Sequence, residues 1–144
     1  MTKISTKAST ILSLILSAMF FVAIIFGAFI MPGFVRIIMG WVKPAILILG
    51  YLVLFVALIA DILMFFLLIR VKNELVFTGK SVSIIRAVSY CAFVIGILFI
   101  ALGYFFKIAF VVSVAAIFLG LCLRVVKNVI EKACEIKEEN DLTV

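Results

Sequence analysis

Charged residues are nearly absent from four stretches of this chain, residues 10–31, 45–69, 87–106 and 108–123, and polar residues collect at their ends. A helix rising about 1.5 Å per residue needs about 20 apolar residues to cross some 30 Å of hydrocarbon. Helices are also the open-ended structure that satisfies its own backbone hydrogen bonds in lipid. The pattern therefore predicts an all-α polytopic membrane protein. Its four transmembrane helices form an antiparallel bundle, and a cytoplasmic helix extension over residues 124–144 completes a single domain spanning residues 1–144.

The polar punctuation refines the elements. Residues 1–9 form a short polar lead, with Ser9 or Thr10 placed to cap the first helix. Pro32 and Gly33 read as a helix break, and Pro44 suits the first turn of the next span. Between them Phe34, Ile37, Ile38 and Trp41 recur at helical spacing beside Arg36 and Lys43, which predicts a short amphipathic helix in the outer interface. A lid that grips a ligand is the sharper alternative for this segment. Trp41 and, at the tight turn over residues 103–107, Tyr104 and Lys107 are the expected interfacial anchors. In the other connection Gly79 marks a stop or turn, and Ser81 or Ser83 suits the cap of the third helix.

Charge sets the orientation. Ten of the thirteen Lys and Arg residues lie on the side that holds both termini and the 70–86 connection, and only Arg36, Lys43 and Lys107 lie opposite. An excess of cations on short segments marks the cytoplasmic side, so both termini are expected inside a bacterial inner membrane. The net charge of +6 then reads as a topology signal and a contact for anionic lipids, not as nucleic-acid affinity.

Composition removes most chemistry. Hydrophobic residues make up 68% of the chain, and it contains no His. Three cysteines, Cys91, Cys122 and Cys134, are an odd number near the reducing side and argue against a disulfide framework. With neither His nor Cys-x-x-Cys, neither a metal nor a cofactor is expected. The string Thr78-Gly79-Lys80-Ser81 lacks the first glycine and the strand context of a phosphate loop. No enzyme activity is expected.

Asp61 is the one acid well inside a span. Such a residue costs about 2.5–3.5 kcal/mol at mid-helix on insertion scales, so it has a use. One reading is a carboxylate in a proton- or cation-coupled transporter or channel. The other is a packed acid bonded to hydroxyls such as Ser13, Ser17, Tyr90 or Ser113. The absence of a second intramembrane charge favours packing. Small-xxx-small pairs Ala23/Gly27 and Ala92/Gly96, and the stripe Ala109, Ser113, Ala116 and Gly120, suit helix packing or a homo-oligomer contact.

Beyond Leu123, apolar residues spaced three and four apart (Val126, Val129, Ile130 and Ala133) alternate with charge, which predicts a helical tail. Its end carries Glu135, Glu138, Glu139 and Asp141, and fraying is expected near Asn140. These tail residues are the candidate surface for a cytoplasmic protein partner.

The loop Glu74-Leu75-Val76-Phe77-Thr78-Gly79-Lys80-Ser81 resembles that of the bacterial family called domain of unknown function 2975. The ending Glu131-Lys132-Ala133-Cys134-Glu135-Ile136-Lys137-Glu138-Glu139-Asn140-Asp141-Leu142-Thr143-Val144 is similar to the same family's acidic helix running into Asn-Asp-Leu-Thr. The resemblance implies a four-span membrane component paired with a helix-turn-helix DNA-binding regulator. It agrees with a non-enzymatic membrane protein that binds a partner through its cytoplasmic loop and tail. The rivals are the Asp61 transporter and a membrane immunity protein against membrane-active peptides.

Overall fold

A computed structural model describes residues 2–40, 43–73 and 77–143, and the side chains of 7–40, 43–73 and 77–142. Four helices follow one another: α1 (Thr2–Met39), α2 (Pro44–Lys72), α3 (Gly79–Gly103) and α4 (Ile108–Thr143). They contain 38, 29, 25 and 36 residues, so at about 1.5 Å per residue each exceeds the roughly 30 Å of a hydrocarbon core. All four are long and apolar enough to cross a membrane, and no strand occurs among the described residues.

α1 corrects two local expectations. It starts at Thr2, ahead of the anticipated cap at Ser9 or Thr10, and it runs through Pro32 and Gly33 to Met39. The predicted separate amphipathic helix is thus the last turns of α1. Proline cannot give its N–H to the carbonyl four residues back, which orphans Ala28. The Tyr51 hydroxyl of α2 donates to that Ala28 oxygen at 3.1 Å. A neighbouring helix that satisfies the freed carbonyl is the usual condition for proline inside a membrane helix. The actual stop is Gly40, at φ +69°, whose N–H reaches the Arg36 carbonyl at 2.8 Å. Glycine adopts that left-handed position at low cost.

α2 begins with Pro44 at its first position after an extended Lys43, where the missing N–H has no intrahelical role. α3 begins a turn earlier than the expected serine caps. Thr78 is the cap, accepting from the Ser81 N–H at 3.4 Å, and Gly79 opens the helix instead of stopping one. Arg70 at the end of α2 ties this corner down, donating through Nε to Ser81 Oγ at 3.1 Å and through Nη2 to Thr78 Oγ1 at 2.9 Å. A short turn over residues 104–107 joins α3 to α4, closed by Phe105 and Phe106 N–H groups on the Leu102 carbonyl, each at 2.9 Å. Beyond Leu123, α4 continues without a break, and its helical geometry persists past Asn140 to Thr143.

Within the bundle, close backbone approach among the described residues joins neighbours in sequence: α1 with α2, α2 with α3, and α3 with α4. Contacting positions run in opposite order along each pair. Gly27 meets Leu54 where Ser17 meets Asp61, and Gly103 meets Phe110 where Gly120 meets Phe93. The small stripe of α4 lies in this last seam. Ala109, Ser113 and Gly120 are buried there, Ala116 is half-buried, and Ser89 donates to the Gly120 carbonyl at 3.0 Å. Among the described residues, all four helices share a core at the end bearing Gly40, Lys43 and the 104–107 turn, built on Val35, Ile46, Leu102 and Ala109.

The accessible surface is 9853 Å², against about 7,400 Å² for a compact soluble protein of this mass. Much of the excess is large apolar side chain, with Phe29 81% and Ile37 84% exposed. Exposed apolar area on that scale requires an apolar solvent.

Candidate functional site

Asp61 stands eleven residues before the end of α2, about 16 Å along the axis. Its carboxyl is half-buried, and Oδ1 accepts a hydrogen bond from Ser17 Oγ of α1 at 2.9 Å. Of the four hydroxyls suggested as partners, Ser17 is the one that reaches it. Tyr90 instead lies beneath the Arg124 guanidinium, 4.7 Å from the ring centroid, and Ser113 is buried on α4, which packs on α3.

Beside this pair runs a groove of about 410 Å³ between α1 and α2, lined by Ser17, Ala18, Phe21, Val22, Asp61, Ile62, Phe65 and Phe66. The Phe and Val side chains and Ile62 are exposed, so the groove opens sideways toward lipid. A second cavity of about 380 Å³ lies at the opposite end, where Met31, Phe34, Val53, Phe99, Phe106 and Val112 line a wholly apolar space.

The structure divides the tail. Arg124, Lys127, Glu131 and Cys134 follow Gly120 at spacings of four, three, four and three, on the side of α4 that faces α3. Lys127 is 9% exposed and pairs with Glu131 at 3.1 Å. Ile130 and Ala133 are half-buried, whereas Val126 and Val129 are exposed. From Glu135 to Leu142 every residue is exposed, including Glu138, Glu139 and Asp141. The acidic end is therefore an exposed helix.

Of the expected anchors, Tyr104 is 86% exposed and Lys107 is exposed at the four-helix end. Trp41 and the loop positions Glu74, Leu75 and Val76 lie outside the described residues. Sequence reasoning missed Lys43, whose ammonium lies 5.4 Å from the Phe105 centroid, as well as Tyr51 and Arg70. A proline within an apolar run was the available signal for a donor such as Tyr51. No cluster of His, Cys, Asp or Glu able to hold a metal occurs among the described residues. The three cysteines are free, with Cys122 exposed and Cys91 and Cys134 half-buried.

Four apolar spanning helices, one intramembrane acid and one projecting acidic helix define a small multi-pass membrane protein. The chain belongs to the family described as Protein of unknown function (DUF2975), whose model matches residues 5–144. Comparison with curated proteins and with solved structures gave no match.

Proposed function

We propose that this protein is a non-enzymatic membrane component that docks a basic cytoplasmic protein on the acidic end of α4. One observation carries the reading: residues 135–142 remain helical while exposed on every side. A preformed helix loses less conformational entropy on binding than a segment that folds as it binds. Its four acids give electrostatic complementarity to a basic surface, which speeds encounter and fixes register. The excess of Lys and Arg on the same side supports a cytoplasmic position for it. A DNA-binding regulator is one protein class with the required basic surface.

Truncation after Cys134 removes the exposed acidic end and leaves the Arg124, Lys127 and Glu131 contacts in place. The truncated protein is expected to insert normally and to lose a stoichiometric partner that co-purifies with the full chain. Replacement of Glu135, Glu138, Glu139 and Asp141 by their amides should have the same effect. Retention of the partner by both variants contradicts the proposal.

A further inference from the structure

We propose that the groove between α1 and α2 binds a monocationic amphiphile, with a single protonated or quaternary amine against Asp61 and its apolar body along the flanking rings. This site lies within the membrane and does not depend on the tail's role. The carboxyl receives one hydroxyl hydrogen bond, from Ser17. The one ion pair between the described side chains is Lys127–Glu131, far along α4. Asp61 is one of the residues lining the groove. An acid at this depth held by a hydroxyl is costly unless a cation neutralises it, which is why intramembrane acids mark ligand sites.

The walls fit such a ligand. Phe21 follows Ser17 by four residues on α1, and Phe65 follows Asp61 by four on α2, so each ring shares a face with its polar neighbour. Because the two helices run in opposite directions, the rings lie one turn to either side of the Ser17–Asp61 pair. Aromatic faces attract ammonium groups within about 6 Å of the centroid, so they favour an amine at the acid over a neutral group. The rest of the wall is aliphatic or aromatic, and the volume of about 410 Å³ falls within the range of small-molecule sites. Entry is lateral, from lipid. A zwitterionic headgroup would bring its phosphate to the same carboxylate, so a net cation is the better fit.

The test uses the full chain in neutral maltoside micelles and a tetradecyltrimethylammonium probe with a diazirine on its alkyl chain. Illumination should label residues around Phe21, Phe65 and Phe66. Unlabelled tetradecyltrimethylammonium should compete, whereas tetradecanol should not. Asp61→Asn retains shape and hydrogen bonding and should lower labelling by at least about tenfold, as loss of a charge-assisted contact does. Ser17→Ala retains the charge and should keep most of the labelling. Equal labelling of wild type and Asp61→Asn, or equal competition by tetradecanol, would show an acyl-chain groove only and overturn the proposal. Should Asp61→Asn fail to fold, charge-selective competition on the wild type still decides.

Discussion

Tyr51 shows how one hydroxyl decides the course of a helix. Pro32 leaves the Ala28 carbonyl without its backbone donor, and Tyr51 supplies a donor from α2 at 3.1 Å. Interhelical hydrogen bonds in membranes contribute about 0.6 kcal/mol on average and up to about 1.7. Tyr51→Phe should therefore destabilise the protein by about 1 kcal/mol, measured by reversible unfolding in mixed detergent micelles. In a Pro32→Ala background the alanine N–H can serve Ala28, and the same substitution should cost almost nothing. An equal cost in both backgrounds contradicts the account. The rule that proline ends a helix is local, and it failed here because the compensating donor is nineteen residues further along the chain. Ser17 is the opposite case. Among four candidate hydroxyls it was legible as a partner of Asp61, yet only the opposite order of α1 and α2 singles it out.

Among the elements, α3 and α4 make the tightest pair because small residues let their backbones approach. A Cβ on Gly96 would lie 2.7 Å from Ile117 Cγ1 and 3.4 Å from the Ser113 carbonyl, and one on Gly103 would lie 2.8 Å from the Phe110 ring. Gly33 has nothing within 4 Å. Gly96→Val should accordingly cost about 1–3 kcal/mol through overpacking, while Gly33→Ala, in open space inside a helix, should cost nothing and stabilise by up to about 1 kcal/mol in the same unfolding measurement. A comparable loss from both would mean that the seam is not as close as the structure has it. The stripe Ala109, Ser113, Ala116 and Gly120 was visible as a periodic pattern, but periodicity does not name the partner helix. Burial against α3 accounts for it without a second copy. The start of α3 was misplaced for a related reason: Ser81 resembles a cap in sequence, yet it is buried beneath Arg70 and gives the cap position to Thr78.

For the whole molecule, hydropathy made the four-span architecture plain, since no other solvent accommodates so much exposed apolar surface. The candidate sites were less legible. The groove beside Asp61 needs two helices in register, and the exposed acidic end needs α3 to begin well before it in the packed pair. Both depend on packing that a single chain's pattern does not encode. The proposed docking role depends above all on presentation of the α4 end to the cytoplasm. Labelling of single cysteines with a membrane-impermeant maleimide tests that directly, in a background where Cys91, Cys122 and Cys134 are replaced. Lys137→Cys should be protected in intact cells and labelled in inverted vesicles, while Tyr104→Cys should show the reverse. Labelling of Lys137→Cys from outside intact cells would place the tail on the wrong side of the membrane and contradict the account.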